Sequence, residues 1–551
     1  MILWITGPPG SRKTTVGHML ASETDRHFVD LDEMVARSSG MSVADIIRRQ
    51  GEEEFRRHET ACLSSIVEHP EHRRGSVVAT GGGTILSHHN RDLMRSSGLR
   101  IHLDVDPGTI LDRIAGSGDR PLLGDSPEVD DVDRLLRRRE IPYADHDLAI
   151  DGRRSPERIV REIRARLGTL QRPAWLLNRS VGKERTQISV YESPWGGLQR
   201  AARRTRGARV CVLTDENVAV YYSHTLRTIA GSDGIVYIVE PGEANKSFVV
   251  VERIVERLAR EGFSREDTIL SFGGGMVTDL GGFVGSIYMR GIRTVSMPTS
   301  LLAMVDASVG GKTAINAAGL RNLVGTFRQP DEVIIVPPFL RTLPEREFRS
   351  GLVESMKMGI TGSDSLRSSA RRVGASFQLG ILSKETTELI RLSVEEKLGI
   401  IAADAEDRER RRILNFGHTV AHALEGICPG AWTHGEAVAL GIVAETDVAL
   451  LGGVAPVDPE RGEQIIADIL PYTVPHPVGQ PSIDGVLQAM DGDKKRGQGG
   501  IRMVVPSGDR SWMLDRVVGG SEVARALDTA WHRIEQYHSH RTGRDAGGDR
   551  T

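Results

Sequence analysis

The chain has 551 residues, enough for several domains that each bury a hydrophobic core. A formal net charge of −3, with 26% charged and 39% hydrophobic residues, gives no reason to expect a nucleic acid or an acidic membrane as partner. Cys62, Cys211 and Cys428 lack disulfide or metal-site spacing, and no apolar run is long enough to span a bilayer. We therefore expect a soluble cytoplasmic protein.

Residues 1–168 alternate short apolar runs with amphipathic segments, which predicts a parallel sheet with helices on both faces. Helical periodicity covers Val43–Val67 and Pro156–Leu167, and the Gly-, Asp- and Pro-rich stretch Gly116–Asp133 is predicted to be a mobile lid. The predicted strands are Ile2–Thr6, Phe28–Leu31, Val77–Thr80, Leu99–Val105 and Leu148–Asp151.

A phosphate-binding loop directly follows the first predicted strand and precedes a helix, as the motif G-x-x-x-x-G-K-[ST] requires. Its backbone N–H groups would bind phosphates, Lys13 would reach the β- and γ-phosphates, and Thr14 would hold Mg²⁺. Arg12 stands where the motif has glycine, and a Cβ there costs about 1 kcal/mol. Either the Arg12 guanidinium assists phosphate binding, or the loop is impaired. The predicted ATP-binding residues here are Gly7, Pro8, Pro9, Gly10, Ser11, Arg12, Lys13 and Thr14.

Other residues of this unit narrow its class. Asp30 and Asp32 lie at the end of a strand, Arg56 lies in a helical pattern, and a triple-glycine run ends another strand. The full set is Asp30, Asp32, Arg56, Gly81, Gly82, Gly83, Arg120 and Arg139. In this order, and with the phosphate loop, they make residues 1–168 resemble shikimate kinase, a small P-loop kinase.

That resemblance implies a role for each of these residues. Asp32 would deprotonate the shikimate hydroxyl, while Arg56 and Arg139 would bind the shikimate carboxylate. The glycines would close over the ring, and Asp30 would lie near Mg²⁺. Arg113 would stack on adenine, and Arg120, in the lid, would neutralise the transferring charge. Phosphoryl transfer depends mainly on such positioning and charge neutralisation.

Beyond this unit, residues 169–180 contain Pro173 and no periodicity, which predicts a linker. Strand-type runs recur in 181–338, which predicts an α/β layer, and helical periodicity dominates 339–538, with a site in the cleft between the two parts. Residues 539–551 are polar and predicted to be a disordered tail. The strands predicted in the layer are Ile188–Tyr191, Ala208–Thr214, Gly234–Val239, Thr268–Phe272, Thr294–Pro298 and Glu332–Val336, with a helix at Val249–Glu261 among them.

Histidines in the helical part indicate a metal site. His418 and His422 are four residues apart in a helical pattern, so both imidazoles should project from one helix face. His434 follows closely, and Glu354 lies on an earlier helical pattern. These are suitable ligands for a divalent metal such as zinc. An ordinary pair of helix histidines is the alternative, and the glycines and lysines of the same half argue against it.

A glycine-rich loop, Gly273–Gly275, follows a predicted strand and opens a helix. Such a loop favours a pyrophosphate, although the motif is not a true G-x-G-x-x-G. Glu243 lies on another strand-to-helix turn and suits ribose hydroxyls, and Lys246 follows it. Together with a cluster of lysines and Arg411, these features make the chain from Val181 to His538 resemble 3-dehydroquinate synthase.

The resemblance implies NAD⁺ and Zn²⁺ (or Co²⁺) as cofactors, and conversion of the seven-carbon phosphorylated acid DAHP to 3-dehydroquinate and phosphate. It assigns Glu354, His418 and His434 to the metal and makes His422 a catalytic group instead of a ligand. It also implies a homodimer in which Arg290 reaches the partner's site. The implied substrate contacts are Asp306, Lys312, Asn322, Lys357, Lys397, Arg411, Asn415 and Lys494.

The implied NAD⁺ contacts include one departure from the family, because Arg321 stands where a lysine is usual. A planar guanidinium with several N–H donors then replaces a single ammonium group. These contacts are Glu243, Lys246, Gly275, Met276, Val277, Thr278, Asp279, Thr299, Ser300, Lys312, Arg321, Phe339, Leu340, Arg341 and Thr342.

The whole chain is thus expected to be a fused, bifunctional enzyme of the shikimate pathway, a kinase followed by a synthase. Two alternatives remain open. The second unit could be a metal- and NAD-dependent polyol dehydrogenase, although that class does not need a cluster of phosphate-binding lysines. The first unit could be a non-catalytic module whose loop Arg12 has impaired, although Lys13, Asp32 and Arg139 are all retained.

Overall fold

The computed structural model describes residues 1–114, 127–181, 184–404, 410–451, 457–475, 481–492, 500–508 and 511–545. It forms an N-terminal α/β unit, a second α/β unit and a mainly helical part. None of the helices in these ranges is both long and apolar enough to cross a membrane.

The first unit is built on a five-stranded parallel sheet of order β2-β3-β1-β4-β5. Strands β1 and β3 are fully buried and mainly apolar, as expected for a sheet covered on both faces. Its strands and helices, in chain order, are β1 Ile2–Thr6, α1 Lys13–Glu23, β2 His27–Asp30, α2 Leu31–Ser39, α3 Val43–Gln50, α4 Glu52–Glu68, α5 Pro70–Gly75, β3 Ser76–Ala79, α6 His88–Ser97, β4 Gly98–Asp104, α7 Pro107–Ile114, α8 Val129–Ala144, β5 Leu148–Asp151 and α9 Pro156–Leu167.

The second unit has a seven-stranded sheet of order β6-β7-β14-β11-β10-β8-β9, in which only β6 is antiparallel to its neighbour. A separate hairpin, β12–β13, lies between β11 and β14 in the chain. The elements are β6 Trp175–Val181, β7 Glu184–Val190, α10 Pro194–Arg204, β8 Val210–Asp215, α11 Glu216–Ala230, β9 Ile235–Val239, α12 Phe248–Arg260, β10 Thr268–Gly273, α13 Gly275–Ile287, β11 Arg293–Pro298, β12 Lys312–Ala317, β13 Leu320–Phe327 and β14 Glu332–Ile335.

The remaining part packs its helices around α18, which is buried along almost its whole length. It shares one continuous hydrophobic core with one face of the second sheet. Its elements are α14 Glu345–Thr361, α15 Asp364–Ser376, α16 Lys384–Ala403, α17 His418–Ile427, α18 His434–Leu450, α19 Pro459–Ile469, α20 Ile483–Gly492, β15 Ile501–Ser507, β16 Ser511–Val518 and α21 Gly520–Asp545.

Several predictions about segments need correction. The expected linker at 169–180 contains most of β6, because Trp175 and Leu177 pack against the core while Leu176 stays exposed, a pattern typical of an edge strand. The tail predicted from residue 539 continues α21 to Asp545, and residues 546–551 lie outside the described ranges.

Three further differences concern single elements. The predicted helix Val43–Val67 is two helices, because the chain turns at Gly51 with a positive φ of 93°. The predicted lid lies outside the described residues from 115 to 126, and it is helical from Val129. The part predicted as helical also contains the β15–β16 hairpin.

The first unit packs directly onto the second through buried ion pairs. Asp145, just after α8, lies 2.7 Å from both Arg95 and Arg100 and 3.7 Å from Arg341 of the second unit. Burial alone would raise the pKa of Asp145, but the surrounding arginines outweigh it and hold that pKa far below its usual value. Trp195 of α10 packs into the core of the first unit. The two units therefore form a continuous buried interface.

Candidate active sites

The phosphate loop adopts the conformation that its glycines permit. Gly7 and Gly10 have φ values of 152° and 77°, and Arg12 also lies in the left-handed region, with φ 64° and ψ 31°. The Lys13 ammonium donates to the carbonyls of Gly7 and Pro8, both at 2.9 Å. The loop is thus folded around Lys13, and the strain expected at Arg12 is present.

A candidate magnesium site lies beside this loop. The Thr14 hydroxyl donates to Oδ2 of Asp30 at 2.8 Å. Oδ1 of Asp30 accepts from the backbone N–H of Asp32 at 3.0 Å, which fixes the carboxylate at the start of α2. A hydroxyl and a carboxylate at the edge of a phosphate loop fit Mg²⁺, which prefers oxygen ligands.

Asp32 lies beside Gly81, and its side chain is accessible to water although protein surrounds much of it. Partial removal from water and the nearby carboxylate of Glu59 raise the pKa of Asp32 to about 6, although Lys13 opposes this. A Cβ on Gly81 would meet Oε1 of Glu59 at 2.6 Å and Oδ1 of Asp32 at 2.8 Å, so only glycine fits there. The raised pKa suits a general base.

The predicted anion-binding arginines lie beside the same glycine run, Gly81–Gly83. Arg56 pairs with Glu52 at 2.8 Å and Glu59 at 2.9 Å, and its guanidinium occupies the space that a Cβ on Gly83 would need. Arg139 donates to the carbonyl of Gly82 at 3.0 Å. The structure thus brings Asp32, the glycine run and both arginines together.

Two further residues beside the glycine run carry no predicted role. Glu59, fully buried, accepts from the Thr84 hydroxyl at 2.5 Å and pairs with Arg56. Tyr143 donates to the Gly82 carbonyl at 2.8 Å. Their spacing in the sequence could have indicated them. Glu59 lies three residues after Arg56, and Tyr143 lies four residues after Arg139, so each shares a helix face with its arginine.

Two predicted residues of the first unit remain, Arg113 and Arg120. The Arg113 guanidinium donates to the carbonyl of Gly152 at 3.0 Å and of Gly10 at 3.4 Å, beside the phosphate loop. Its adenine-stacking role stays a prediction. Arg120 lies outside the described residues.

The second site is a cavity of about 1120 Å³ between the second sheet and the helical part. The cavity is lined by Asp215 at the end of β8, Gly275 after β10 and Thr299 after β11, so it opens at the carboxyl ends of the parallel strands. This is where open α/β sheets bind ligands. The helix α13 begins at Gly275, and its N-terminus therefore faces the cavity.

At the helical end of the cavity, Glu354, His418 and His434 come together, with ligand atoms within 4.8 Å of one another. Glu354 is fully buried, and neither of its oxygens accepts a well-directed hydrogen bond within the described chain, although Lys357 Nζ lies 2.5 Å from Oε2. Burial raises the pKa of Glu354, but Lys357 and His434 outweigh it and lower that pKa. Burial holds the pKa of His418 well below its usual value. A buried carboxylate and a neutral imidazole fit a zinc-type ion.

His422, the other candidate from i, i+4 spacing, is outside this cluster. Its ring centroid lies 5.5 Å from that of His418, and its side chain lines the cavity. Of the two histidines on this helix, His418 therefore belongs to the ligand group and His422 lines the cavity.

Glu425 is a further buried group that sequence reasoning did not single out. Its Oε1 lies 3.3 Å from Nδ1 of His434 and 2.7 Å from Nη1 of Arg321. A carboxylate on the far nitrogen of a metal-ligating histidine fixes the ring and its tautomer. No spacing rule would have found it, since Arg321 lies on the β13 hairpin and Glu425 on α17.

Cationic groups surround the middle of the cavity. Lys397 Nζ lies 2.7 Å from Oδ1 of Asp306, and burial lowers the pKa of Lys397. Asp306 lies in a short π-helical turn, a feature frequent at functional sites. Arg411 is buried and donates to the carbonyl of Gly310 at 3.1 Å. Such a cluster suits a polyanionic ligand.

Another buried ion pair of the cavity involves Asp279, in the first part of α13. Lys246 Nζ lies 2.5 Å from Oδ2 of Asp279 and 2.5 Å from Oδ1 of Asn322. Burial lowers the pKa of Lys246, but Asp279 and Glu243 outweigh it and raise that pKa. The side chain of Asn316 holds Glu243 at 3.0 Å. These contacts therefore fix Glu243 and Lys246 near the N-terminus of α13.

Not every predicted residue of the second site lines the cavity. Arg341, a predicted cofactor contact, instead directs its guanidinium to Asp145 and to the His146 carbonyl of the first unit. Val277, Thr278, Phe339 and Leu340 lie behind the lining, and Lys494 is outside the described residues. The predicted residues that line it are Glu243, Lys246, Gly275, Met276, Asp279, Thr299, Ser300, Asp306, Lys312, Arg321, Asn322, Thr342, Lys357, Lys397, Arg411, Asn415, His418, His422 and His434.

The fold and the two sites define a P-loop kinase joined to an α/β nucleotide-binding enzyme with a candidate metal centre. Family models match in the same order: shikimate kinase over residues 9–168, the N-terminal domain of 3-dehydroquinate synthase over 236–350, and its C-terminal domain over 351–496. A bifunctional shikimate kinase/3-dehydroquinate synthase of Thermotoga maritima is 33% identical over 90% of this chain and 93% of its own length. The chain belongs to the bifunctional shikimate kinase/3-dehydroquinate synthase family.

Single-function relatives agree with this assignment. The 3-dehydroquinate synthase of a Synechococcus strain is 37% identical over 60% of this chain and 92% of its own length. Among solved structures, a 2-epi-5-epi-valiolone synthase from Streptomyces hygroscopicus with NAD⁺ and Zn²⁺ bound has a TM-score of 0.56 at 25% identity, covering 65% of this chain and all of its own. A 2-deoxy-scyllo-inosose synthase, at 19% identity and a TM-score of 0.56, supports the fold over 64% of this chain and 99% of its own.

Proposed function

We propose that one chain carries out two reactions. Residues 1–168 transfer the γ-phosphoryl group of ATP to shikimate, and the part from β6 onward converts DAHP to 3-dehydroquinate and phosphate. The observation that carries the proposal is the presence of two candidate sites in one chain: Asp32 beside the phosphate loop, and the Glu354, His418 and His434 group beside the lysine cluster.

In the kinase site, the chain's own residues position both substrates. The shikimate carboxylate is bound by Arg56 and Arg139, which leaves a ring hydroxyl at Asp32. That hydroxyl oxygen attacks the γ-phosphorus, its proton passes to Asp32, and the bond to the ADP oxygen breaks. Lys13 neutralises the phosphates, and Thr14 and Asp30 would hold Mg²⁺. Positioning and charge neutralisation supply most of the rate.

In the synthase site, the cavity orients a phosphorylated acid between its two ends. Lys357, Lys397 and Arg411 would bind its anionic groups, and His422, which lines the cavity, would move a proton. Glu354, His418 and His434 would hold Zn²⁺ or Co²⁺, and Glu243, Asp279 and the α13 N-terminus would hold NAD⁺. Bound NAD⁺ supplies a hydride acceptor and the metal a Lewis acid.

Two assays of the purified full-length protein test this proposal. ADP formation should require shikimate, ATP and Mg²⁺ together. Phosphate release from DAHP should require NAD⁺ and a divalent metal and should leave no net NADH. Net NADH without phosphate release would instead point to the polyol dehydrogenase, which the lysine cluster and the named relatives do not favour.

We also propose that the chain works as a homodimer in the cytoplasm. Met289 and Phe327 expose 51% and 63% of their surface, and Ile287 is exposed beside Met289. Met289 and Arg290 both have positive φ, so the backbone there is held in a conformation that side chains rarely adopt. A second copy covering these side chains, with Arg290 reaching the partner's site, would account for both features. The three unpaired cysteines suit a reducing compartment.

A further inference from the structure

Helix α11 of the synthase part is interrupted at Tyr222, whose φ of −132° and ψ of 22° are not helical. A helix that restarts after such a break has backbone N–H groups without partners in its own first turn. In most helices a side chain close in sequence accepts from these groups. Here the acceptor comes from the kinase unit.

Asp92, on α6 of the kinase unit, occupies the break. Its Oδ2 accepts from the backbone N–H of His224 at 2.6 Å, and its Oδ1 accepts from the N–H and the hydroxyl of Thr225 at 3.3 and 2.6 Å. Asp92 is buried and lies 3.5 Å from Arg95. It therefore caps a helix of a different domain, 132 residues further along the chain.

Tyr222 connects this cap to the second cavity. The guanidinium carbon of Arg95 lies 4.7 Å from its ring centroid, which packs against Phe272 and Phe339 at 5.4 and 5.3 Å. Its hydroxyl lies 3.1 Å from the hydroxyl of Thr342. Tyr222 and Thr342 both line the cavity.

We infer that Asp92 and Arg95 of the kinase are positioning residues for the NAD⁺ site of the synthase. They hold the break in α11, the break places Tyr222, and Tyr222 fixes the segment from Phe339 to Thr342. This rests on the proposed function, since it takes the cavity to bind NAD⁺. A substitution in one domain should thus change cofactor affinity in the other.

The experiment compares full-length variants by NAD⁺ titration calorimetry, synthase kinetics and thermal unfolding. Asp92→Ala removes both acceptors and should weaken NAD⁺ binding measurably, with about fivefold as the upper limit, the change that corresponds to the whole typical cost of a lost helix cap. At saturating NAD⁺ the turnover number should stay within about twofold, since no group near the metal changes. Asp92→Asn keeps one acceptor and should recover most of the affinity.

Asp106→Ala is the matched control, because Asp106 caps α7 within the kinase unit, on an exposed surface, by accepting from Thr109 at 2.9 Å. It should leave NAD⁺ affinity unchanged. If Asp92→Ala fails to fold, Tyr222→Phe decides, because it loses only the hydroxyl that contacts Thr342 and the Phe339 carbonyl and should still weaken binding.

A folded Asp92→Ala protein with wild-type NAD⁺ affinity would overturn the inference, as would unchanged affinity in Tyr222→Phe. Wild-type protein that does not bind NAD⁺ at all would overturn the proposed function itself. The two failures are therefore distinguishable.

Discussion

Arg321 and Glu425 form an ion pair of 2.7 Å in which the carboxylate oxygen also lies 3.3 Å from Nδ1 of His434. The departure from the usual lysine at position 321 is thus linked to the histidine expected to hold the metal. Because an outer carboxylate of this kind orients the ligand ring, its loss typically lowers metal affinity about 10- to 100-fold.

We therefore predict that Glu425→Gln lowers zinc affinity by about 10-fold or more, while the protein remains folded. Metal retained after dialysis against a chelator series measures this. Glu463→Gln, which removes an exposed partner of Arg533, is the control and should retain metal like the wild type. Equal retention in the Glu425 variant would show that the contact does not support the metal site.

A pair of substitutions at Arg12 separates backbone strain from charge. Arg12→Ala keeps the Cβ in the left-handed region but removes the guanidinium, and Arg12→Gly removes both. If the guanidinium assists phosphate binding, both variants should raise the KM for ATP several-fold, and the glycine variant should be the less impaired. ADP formation with shikimate measures this.

The wild type should itself turn over within a few fold of Arg12→Gly. A silent wild type beside an active Arg12→Gly protein would show that Arg12 disables the kinase. In that case only the synthase assignment would stand.

The pH dependence of the kinase should report Asp32. Because its pKa is raised to about 6, Asp32 is protonated below that pH and cannot accept the hydroxyl proton. We expect kcat/KM for shikimate to fall as the pH drops through about 6. Asp32→Asn should lower the rate at neutral pH by about 100-fold or more and abolish this limb. A limb unchanged in Asp32→Asn would assign it to another group.

The raised pKa of Asp32 also affects stability. Its pH dependence is opposite to that of most carboxylates, whose pKa falls on folding. The folded protein binds the Asp32 proton more tightly than the unfolded chain, whose carboxyl has a pKa near 3.8. The contribution of Asp32 to the free energy of unfolding is therefore greatest below about pH 3.8 and declines as the pH rises through about 6. Denaturant titration of wild type and Asp32→Asn at two pH values measures the difference.

Oligomeric state tests the exposed apolar patch. Replacing Met289 and Phe327 together by Asp should convert a dimer to monomers, since charged groups at the centre of an interface oppose association. Leu451→Asp changes a residue of similar exposure at the end of α18 and should leave the dimer intact. Sedimentation velocity distinguishes the two, and a wild-type protein that sediments as a monomer would contradict the proposed assembly.

Much of the architecture follows from local patterns. Buried apolar runs predict β1 and β5 at the residues where the structure has them, and periodicity does the same for α9. The edge strand β6 and the hairpins have mixed polar and apolar faces, so their burial depends on neighbours that no local pattern reveals.

The candidate sites divide in the same way. Asp32, Lys13 and the ligand trio occur in recognisable motifs, and the structure brings each group together. The roles of Glu425 and Asp92 depend on contacts between distant segments, and so does the break at Tyr222, which has neither Pro nor Gly to announce it. Such relationships arise only from the tertiary packing.

The shared surface has a bearing on how the fusion can change in evolution. A gene split near residue 168 would release a kinase with Asp92 and Asp145 facing water, and a synthase whose Arg341 and interrupted α11 had lost their partners. Either product would need compensating substitutions before it could be inherited separately. Such contacts between the two domains oppose the separation of a fused gene, in addition to any benefit of shared expression.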